Sequence, residues 1–265
     1  MASWACPNAS PAPGLPQLLP AGVHQHVQQQ GAYWEAAIRG KLKPLIPPQM
    51  LESYLAQAAV NMQRLLSPAR PQLRIGGKEP LHQHEALRQI LLSGRVQTQF
   101  ETQHSGGAFN PVLRASLETE LFGYAFDLDP VQRPVYGYLT PGDHEPPAVE
   151  GYGRLALRLR PEVLSRTTVS IADTLDRAVL PAAYSCIPIT SLIPNQSGWV
   201  YTHLMRMIHA THVAEVELHY VEAQFHGGVR LQDVECIVAW HLADVPPDLQ
   251  RLCQQVGLSI REFGR

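Results

Sequence analysis

Hydrophobic positions recur every three or four residues in several parts of the chain, which is the spacing of one face of an α-helix. The clearest case is 49–66, where apolar residues from Leu51 to Leu65 share one face. A shorter helix is predicted before it and ends at the prolines that begin with Pro44, because proline interrupts a helix. Further helices are predicted at 81–92, 111–122, 199–208 and 248–256.

Alternating or β-branched stretches predict strands, most of them after residue 94. Few long helices separate these strands, which favours an α+β fold over a doubly wound parallel sheet. We therefore expect a proline-rich flexible tail at 1–22, a helical N-terminal region at 23–94 and an α+β domain of catalytic type at 95–265. The predicted strands are 95–101, 135–139, 155–159, 167–171, 214–225, 234–240 and 258–262.

Composition limits the classes of protein that the chain can belong to. The 265 residues carry a net charge of −2, without the basic face that a duplex-binding protein needs. No run of 18 apolar residues predicts a membrane span, and the N-terminus does not resemble a secretory signal. The four scattered cysteines favour a cytoplasmic protein, with export by a signal-independent route left open. No heptad pattern indicates a coiled coil, so we expect a monomer.

Familiar catalytic and metal-binding signatures are absent from the sequence. It contains no phosphate-binding glycine loop, no nucleophile elbow and no HExxH zinc motif. The 12 histidines include HxH pairs, but none comes with the second ligand pair that a metal site requires. We therefore predict no metal site.

The most informative segment is HYVEAQFHGG, at 219–228. Both faces of this predicted strand are largely apolar, which is typical of a central strand buried on both sides. Glu222 would then be a carboxylate inside the sheet, where a charge is costly unless it is paired or used at a cleft. A structural ion pair or an exposed strand end is the alternative.

Three other segments combine polar side chains with predicted strands. Thr168 and Ser170 share one strand face, so their hydroxyls could line a groove. Arg133 lies just before a strand in which Gly137 permits close approach of a backbone or a ligand. Arg95 begins a segment that runs into the Gly106–Gly107 pair.

Together these segments resemble a bacterial family, number 3626 among the domains of unknown function. The resemblance covers about 81–240. It is carried by QFETQHSGG, ETELFGYAFDLDPVQRPVYGYL, LRPEVLSRTTVSIADT and, most specifically, YVEAQFHGGVRLQDVECIV.

At a greater distance the pattern resembles that of ADP-ribosyltransferase toxins, which have an arginine on an early strand, a Ser/Thr strand and a glutamate on a later strand. The resemblance implies an ADP-ribosyltransferase-like split mixed sheet with a helical N-terminal region. It also implies that Arg95 or Arg133 clamps phosphates and that Thr168 and Ser170 hold the Glu222 carboxylate in place.

The same resemblance implies that NAD is the substrate and that Glu222 stabilises the positively charged ribose formed when nicotinamide leaves. Tyr136 or Tyr220 would stack on nicotinamide, Gln224 would bind a ribose or acceptor group, and His226 would orient Glu222 or act as a base. The sequence departs from the toxin pattern at Tyr220, where many members have Gln or Glu.

The resulting expectation is an NAD-dependent ADP-ribosyltransferase or NAD glycohydrolase that acts as a bacterial effector or toxin. Its acceptor would be a macromolecule, and an immunity protein is left open as a further partner. Two alternatives stand beside it. One is a catalytically inactive binding module of the same fold, and the other is an enzyme that acts on another sugar nucleotide or on nucleic acid.

Overall fold

The protein is described from a computed structural model. The described residues are 18–105, 109–140, 147–175, 179–196, 198–216 and 220–263.

In the described residues, seven α-helices form where the spacing of apolar residues and the residues at the helix ends favour them. Four begin at a proline, which occupies the first turn of a helix without losing a hydrogen bond. Gly94 and Gly123 end two helices in the left-handed conformation that glycine adopts most readily. The helices are α1 (Ala21–Leu42), α2 (Pro48–Leu66), α3 (Pro80–Ser93), α4 (Gln99–Thr102), α5 (Pro111–Phe122), α6 (Val200–His209) and α7 (Pro247–Gln255).

The ten strands found among the described residues form a large mixed sheet and a small two-stranded one. The large sheet has the order β10-β9-β4-β1-β3-β7-β5-β6, and β2 pairs with β8. Its neighbours are antiparallel except β9 and β10, which are parallel. The strands are β1 (Arg70–Arg74), β2 (Arg95–Val96), β3 (Val135–Thr140), β4 (Leu155–Leu159), β5 (Thr167–Ser170), β6 (Ala182–Ala183), β7 (Val221–Phe225), β8 (Val229–Arg230), β9 (Val234–Ala239) and β10 (Ser259–Glu262).

The predicted α+β class is confirmed, with differences at three boundaries. Helix α1 already begins at Ala21, inside the predicted tail, of which residues 1–17 lie outside the described part. The predicted strand 95–101 is wrong beyond Val96, because Thr98 and Glu101 form a capping box that starts α4. Within the predicted strand 214–225, residues 217–219 lie outside the described part, Ala214 and Glu215 belong to a 3-10 turn, and Val221–Phe225 form β7.

The predicted helical region 23–94 also contributes a strand to the centre of the large sheet. Strand β1 pairs with β3 on one side and with β4 on the other. Strand β1, from the region predicted to be helical, therefore belongs to the same sheet as strands that follow residue 94.

The large sheet has one apolar face and one polar face. Leu139, Val221 and Phe225 belong to the main hydrophobic core together with Leu55 of α2 and Leu204 of α6. On the opposite face, register places polar residues side by side across the central strands, since alternate residues of a strand point to opposite faces. One such row runs Gln72, Tyr138, Glu222, Ser170, and the next runs Tyr136, Gln224, Thr168.

Gly137 of β3 allows the close approach of β1. A Cβ atom at this position would lie 2.2 Å from the Gln72 carbonyl oxygen and 2.8 Å from the Phe225 ring. The predicted close approach of a backbone at Gly137 is therefore confirmed.

We expect Gly137→Ala to lower the free energy of unfolding by about 3 kcal/mol, because backbone atoms must move to admit the methyl group. The matched control is Gly40→Ala in α1, where no atom lies within 4 Å of the added Cβ. In that variant the free energy of unfolding should rise by about 0.5–1 kcal/mol, because alanine favours a helix more than glycine does. Urea denaturation measures both, and equal effects of the two variants would contradict the packing account.

None of the helices within the described residues is both long and apolar enough to span a membrane.

Candidate functional site

A cavity of about 630 Å³ opens on the polar face of the sheet. Its floor is formed by β3 and β7, and its rim by α3, the segment around β2 and the turn after β5. The volume is within the range of small-molecule binding sites. Residues of the wall that can carry charge or stack on a ligand are Arg74, His82, Glu85, Arg95, His104, Arg114, Tyr136, Tyr138, Tyr152, Asp173, Tyr220 and Glu222.

Glu222 lies in the floor of this cavity with one carboxylate oxygen fixed by hydrogen bonds. Its Oε1 accepts 2.7 Å hydrogen bonds from the Thr174 hydroxyl and from Nε2 of Gln224, and a 3.3 Å bond from the Thr174 backbone N–H. Among the described residues, the hydrogen bond that Oε2 accepts is a long one of 3.5 Å from the Tyr220 hydroxyl. The carboxylate is therefore held through Oε1, and Oε2 remains available to a bound molecule.

Burial, and next the neighbouring Asp173 carboxylate, raise the pKa of Glu222 to about 7. Arg114 and the hydrogen bonds from Thr174 and Gln224 act in the opposite direction. Glu222 therefore changes charge near neutral pH, as catalytic carboxyl groups often do. The prediction of a buried carboxylate on a central strand is confirmed, because β7 lies between β3 and β5 and Glu222 is 3% exposed.

Arg114 of α5 brings a guanidinium into the same cavity. It stacks on the Tyr136 ring, with Cζ 4.4 Å from the ring centroid, and donates a long 3.4 Å hydrogen bond to Thr174. Burial opposes its charge, but Tyr136 and then Glu222 raise the pKa of Arg114. The described residues contain no carboxylate in an ion pair with this guanidinium, so it can still bind an anion.

The two arginines predicted from the sequence have different surroundings. Arg133 does not line the cavity: it is 2% exposed and donates a 2.7 Å hydrogen bond to Glu118 and a 2.6 Å bond to the Phe126 carbonyl. The phosphate contact predicted for Arg133 does not fit this position. Arg95 does line the cavity, where both of its terminal nitrogens donate to Glu101, at 2.5 and 2.9 Å.

Of the four predicted catalytic residues, only Glu222 lines the cavity. Ser170 lies directly opposite Glu222 in the pairing of β5 with β7, but its hydroxyl donates a 2.6 Å hydrogen bond to the Ala172 carbonyl rather than to the carboxylate. Gln224 contacts Glu222 directly but is fully buried, and so is His226.

Some of the predicted cofactor-binding residues line the cavity and others do not. Thr168 is fully buried and donates to Gln224, so it reaches Glu222 only through that amide. The cavity does bring Tyr136 and Tyr220 together with Glu222. Tyr136 donates a 2.9 Å hydrogen bond to Glu118, which fixes its ring beneath Arg114.

Eight of these twelve wall residues were not predicted as site residues, among them Arg114, Tyr152 and Asp173. A signal for Arg114 existed in the sequence. Arg114 and Glu118 are four residues apart and interrupt the apolar side of the predicted helix 111–122. Charged residues on the buried side of a helix indicate a buried ion pair or a site.

Within the part of the chain that the structure describes, no cluster of three His, Cys, Asp or Glu side chains has the arrangement of a metal site.

Residues 79–187 match the family model "Protein of unknown function (DUF3626)". This match confirms the resemblance to family 3626 over that segment. Arg95, Arg114, Tyr136 and Thr174 lie inside the matched segment, whereas Glu222 lies beyond its end.

The chain is also similar to the "Gene 2 protein" of Mycobacterium phage D29, with 32% identity over 169 residues. The similarity spans 60% of this chain and 62% of the relative, so the chain spans about three fifths of the length of this curated protein.

Proposed function

We propose that the protein cleaves NAD at the bond between nicotinamide and ribose, and transfers ADP-ribose to a macromolecule or to water. One observation carries the proposal. Glu222, whose Oε2 accepts a long 3.5 Å bond from Tyr220, lines a large cavity beside a buried arginine and several tyrosines. The ADP-ribosyltransferase-like arrangement of the sheet, and a role as an effector or toxin, belong to the same proposal and rest on the resemblance in sequence.

The reaction needs a negative charge close to the ribose. When the bond breaks, its electron pair leaves with nicotinamide, which becomes neutral, and the sugar becomes an oxocarbenium-like cation. Oε2 of Glu222 would stabilise that cation because a fixed carboxylate in a water-poor cavity interacts strongly with a developing charge. Water or an acceptor group then attacks the sugar carbon and loses a proton.

Other cavity residues supply the contacts that a dinucleotide requires. The Arg114 guanidinium would bind the diphosphate, since arginine donates two hydrogen bonds to phosphate oxygens. Tyr220 lies beside Glu222 and offers a ring on which nicotinamide can stack. Arg95 at the rim adds positive charge near the entrance, partly neutralised by Glu101.

The test is to incubate the purified protein with NAD labelled on its adenylate side, with and without a cell extract, and to follow free nicotinamide and protein-bound label. Wild type is compared with Glu222→Gln and with Glu162→Gln, which removes an exposed carboxylate outside the cavity. Nicotinamide release by wild type and Glu162→Gln but not by Glu222→Gln supports the proposal. Label on protein indicates transfer, and free ADP-ribose indicates hydrolysis. No release by folded wild-type protein overturns the proposal.

The pH dependence of this cleavage should follow the ionisation of Glu222. Only the carboxylate form stabilises the ribose cation, and the pKa of Glu222 is about 7. We therefore expect kcat/KM to fall about tenfold per pH unit below that pKa and to level off above it. Steady-state rates between pH 5 and 9 measure the profile, and a profile that is flat across this range would contradict the assigned role.

A further inference from the structure

A line of buried polar side chains leads away from Glu222 beneath the cavity floor. Glu222, Gln224 and His226 follow one another at every second position along β7 and its end, so they share the polar face of the sheet. Thr168 of β5 lies opposite Gln224 and contacts both Gln224 and His226. Tyr124, after α5, contacts the far side of the His226 ring.

The hydrogen bonds of this line run in one direction when Glu222 is ionised. A carboxylate only accepts, so Nε2 of Gln224 donates to it and Oε1 of Gln224 is left to accept the Thr168 hydroxyl at 2.7 Å. The Thr168 proton is then used, so the 2.9 Å contact with His226 requires that Nε2–H of His226 donates to Thr168. Nδ1 of His226 consequently accepts from the Tyr124 hydroxyl, at 2.7 Å.

The surroundings of His226 favour the neutral ring that this order requires. Burial, and next the charge of Arg166, lower the pKa of His226 to about 3. The ring is held by Phe122 and Tyr124, whose centroids lie 5.1 and 5.8 Å from its own. The titratable groups that face His226 are Arg166 and Tyr124.

We propose that Tyr124, His226, Thr168 and Gln224 form a positioning relay that fixes the charge and orientation of Glu222 from outside the cavity. None of the four lines the cavity, and Tyr124 instead borders a separate surface groove. They are positioning residues rather than catalytic ones. The inference deepens the proposed role of Glu222 and rests on it for its functional meaning.

Loss of one member should propagate along the relay. Without the Tyr124 hydroxyl, the hydrogen bond that favours the Nε2–H tautomer of His226 is lost. In the Nδ1–H tautomer Nε2 accepts, so the Thr168 hydroxyl turns toward His226 and no longer donates to Gln224. The hydrogen bond from Gln224 to Glu222 is weakened, because a hydrogen bond in a chain is strengthened by its neighbours.

Two observations test the relay without any enzymatic activity. Nitrogen-15 NMR of histidine should show His226 as the Nε2–H tautomer at pH 7, with His226→Gln used to assign the signal. Carbon-13 NMR should follow the titration of the Glu222 carboxyl carbon, assigned with Glu222→Gln. The other charged or titratable groups that face Glu222 are Asp173, Arg114, Tyr136, Tyr138 and Tyr220, and they stay unchanged in the relay variants.

We expect Thr168→Val to raise the titration midpoint of Glu222 by about half a unit, part of the value of the Gln224 hydrogen bond that Thr168 holds in place, and Tyr124→Phe to raise it by less. Thr168→Ser keeps the hydroxyl and should leave the midpoint unchanged. The matched control for the tyrosine is Tyr201→Phe, on the exposed side of α6. If Thr168 contributed only to stability, Thr168→Val would lower the free energy of unfolding, but the serine and valine variants would have the same titration midpoint of Glu222.

An Nδ1–H or charged His226 in the wild type would overturn the inference. So would a Glu222 midpoint that stays within about 0.2 units of wild type in both Thr168→Val and Tyr124→Phe. If the protein cleaves NAD, the pH below which kcat/KM falls should shift together with the titration midpoint of Glu222. A shifted midpoint in a protein that leaves NAD intact would support the relay and refute the proposed function, so the two failures are distinguishable.

Discussion

Replacing Glu222 with glutamine should lower the rate of nicotinamide release on the order of 10³-fold, because it removes a preorganised negative charge from the position beside the ribose cation. Oε1 of the glutamine can still accept hydrogen bonds from Thr174 and Gln224, so the local geometry should persist. The KM for NAD should change much less than kcat, since the lost interaction is strongest in the transition state.

The same substitution should make the protein more stable at alkaline pH. The pKa of Glu222 rises from 4.5 to about 7 on folding, so the folded state binds the proton more tightly than the unfolded state does. Stability therefore falls as pH rises from 4.5 toward 7, and the full cost of the buried charge is present above 7. Glu222→Gln removes that cost.

We expect Glu222→Gln to raise the free energy of unfolding by about 1–3 kcal/mol at pH 8 and to change it little at pH 4.5. Urea denaturation at the two pH values measures both effects. Glu162→Gln, which lies at the surface, should show no such difference. A Glu222→Gln variant that is less stable than wild type at pH 8 would indicate that Glu222 is held as a structural charge rather than as a reactive one.

Arg133→Met should lower the free energy of unfolding by about 3–5 kcal/mol, because it leaves the buried Glu118 carboxylate without its cation. The two side chains are 2% and 1% exposed and their nearest N and O atoms are 2.7 Å apart. The Arg133 guanidinium also lies 4.0 Å from the centroid of the Phe100 ring, so its loss removes packing as well as charge.

A second variant separates the effect of the buried charge from the effect of lost packing. Arg133→Met combined with Glu118→Gln removes both charges and keeps an acceptor for the Tyr136 hydroxyl. It should recover more than about 1 kcal/mol of the loss caused by Arg133→Met alone. Chemical denaturation of both variants at pH 7 measures this difference. A single Arg133→Met variant within about 1 kcal/mol of wild type would contradict the account of Arg133 as a structural residue.

Local sequence signals predicted several elements well. Helix α5 begins at a proline after Asn110, whose side chain accepts from the Leu113 backbone N–H, and it ends before Gly123. Strand β5 coincides with the β-branched run that begins at Thr167. Each of these signals acts within a few residues of the element that it defines, so the sequence alone contains it.

Strand β1 illustrates what local signals could not predict. It has the sequence RPQLR, in which proline and two arginines argue against a central strand. Its place in the sheet depends on pairing with β3 and β4, which follow more than 60 residues later in the chain. Pairing over such distances depends on the packing of the whole core, to which Leu73 contributes.

The candidate site could likewise be predicted only where local sequence signals define it. The apolar residues on both faces of the predicted strand placed Glu222 in a central strand, and in β7 Gln224 follows on the same face. Alternation does not show which arginine reaches the cavity, because Arg133 turns toward Glu118 of α5 while Arg114 enters from that same helix. The orientation of such long side chains depends on tertiary contacts.

The rate of nicotinamide release from NAD at pH 8 tests the central claim most directly, with wild type and Glu222→Gln compared at equal concentrations of folded protein. The proposed function predicts turnover by wild type and a loss on the order of 10³-fold in Glu222→Gln, which should be the more stable of the two. Release that is equal in the two proteins, or undetectable in wild type, would contradict it.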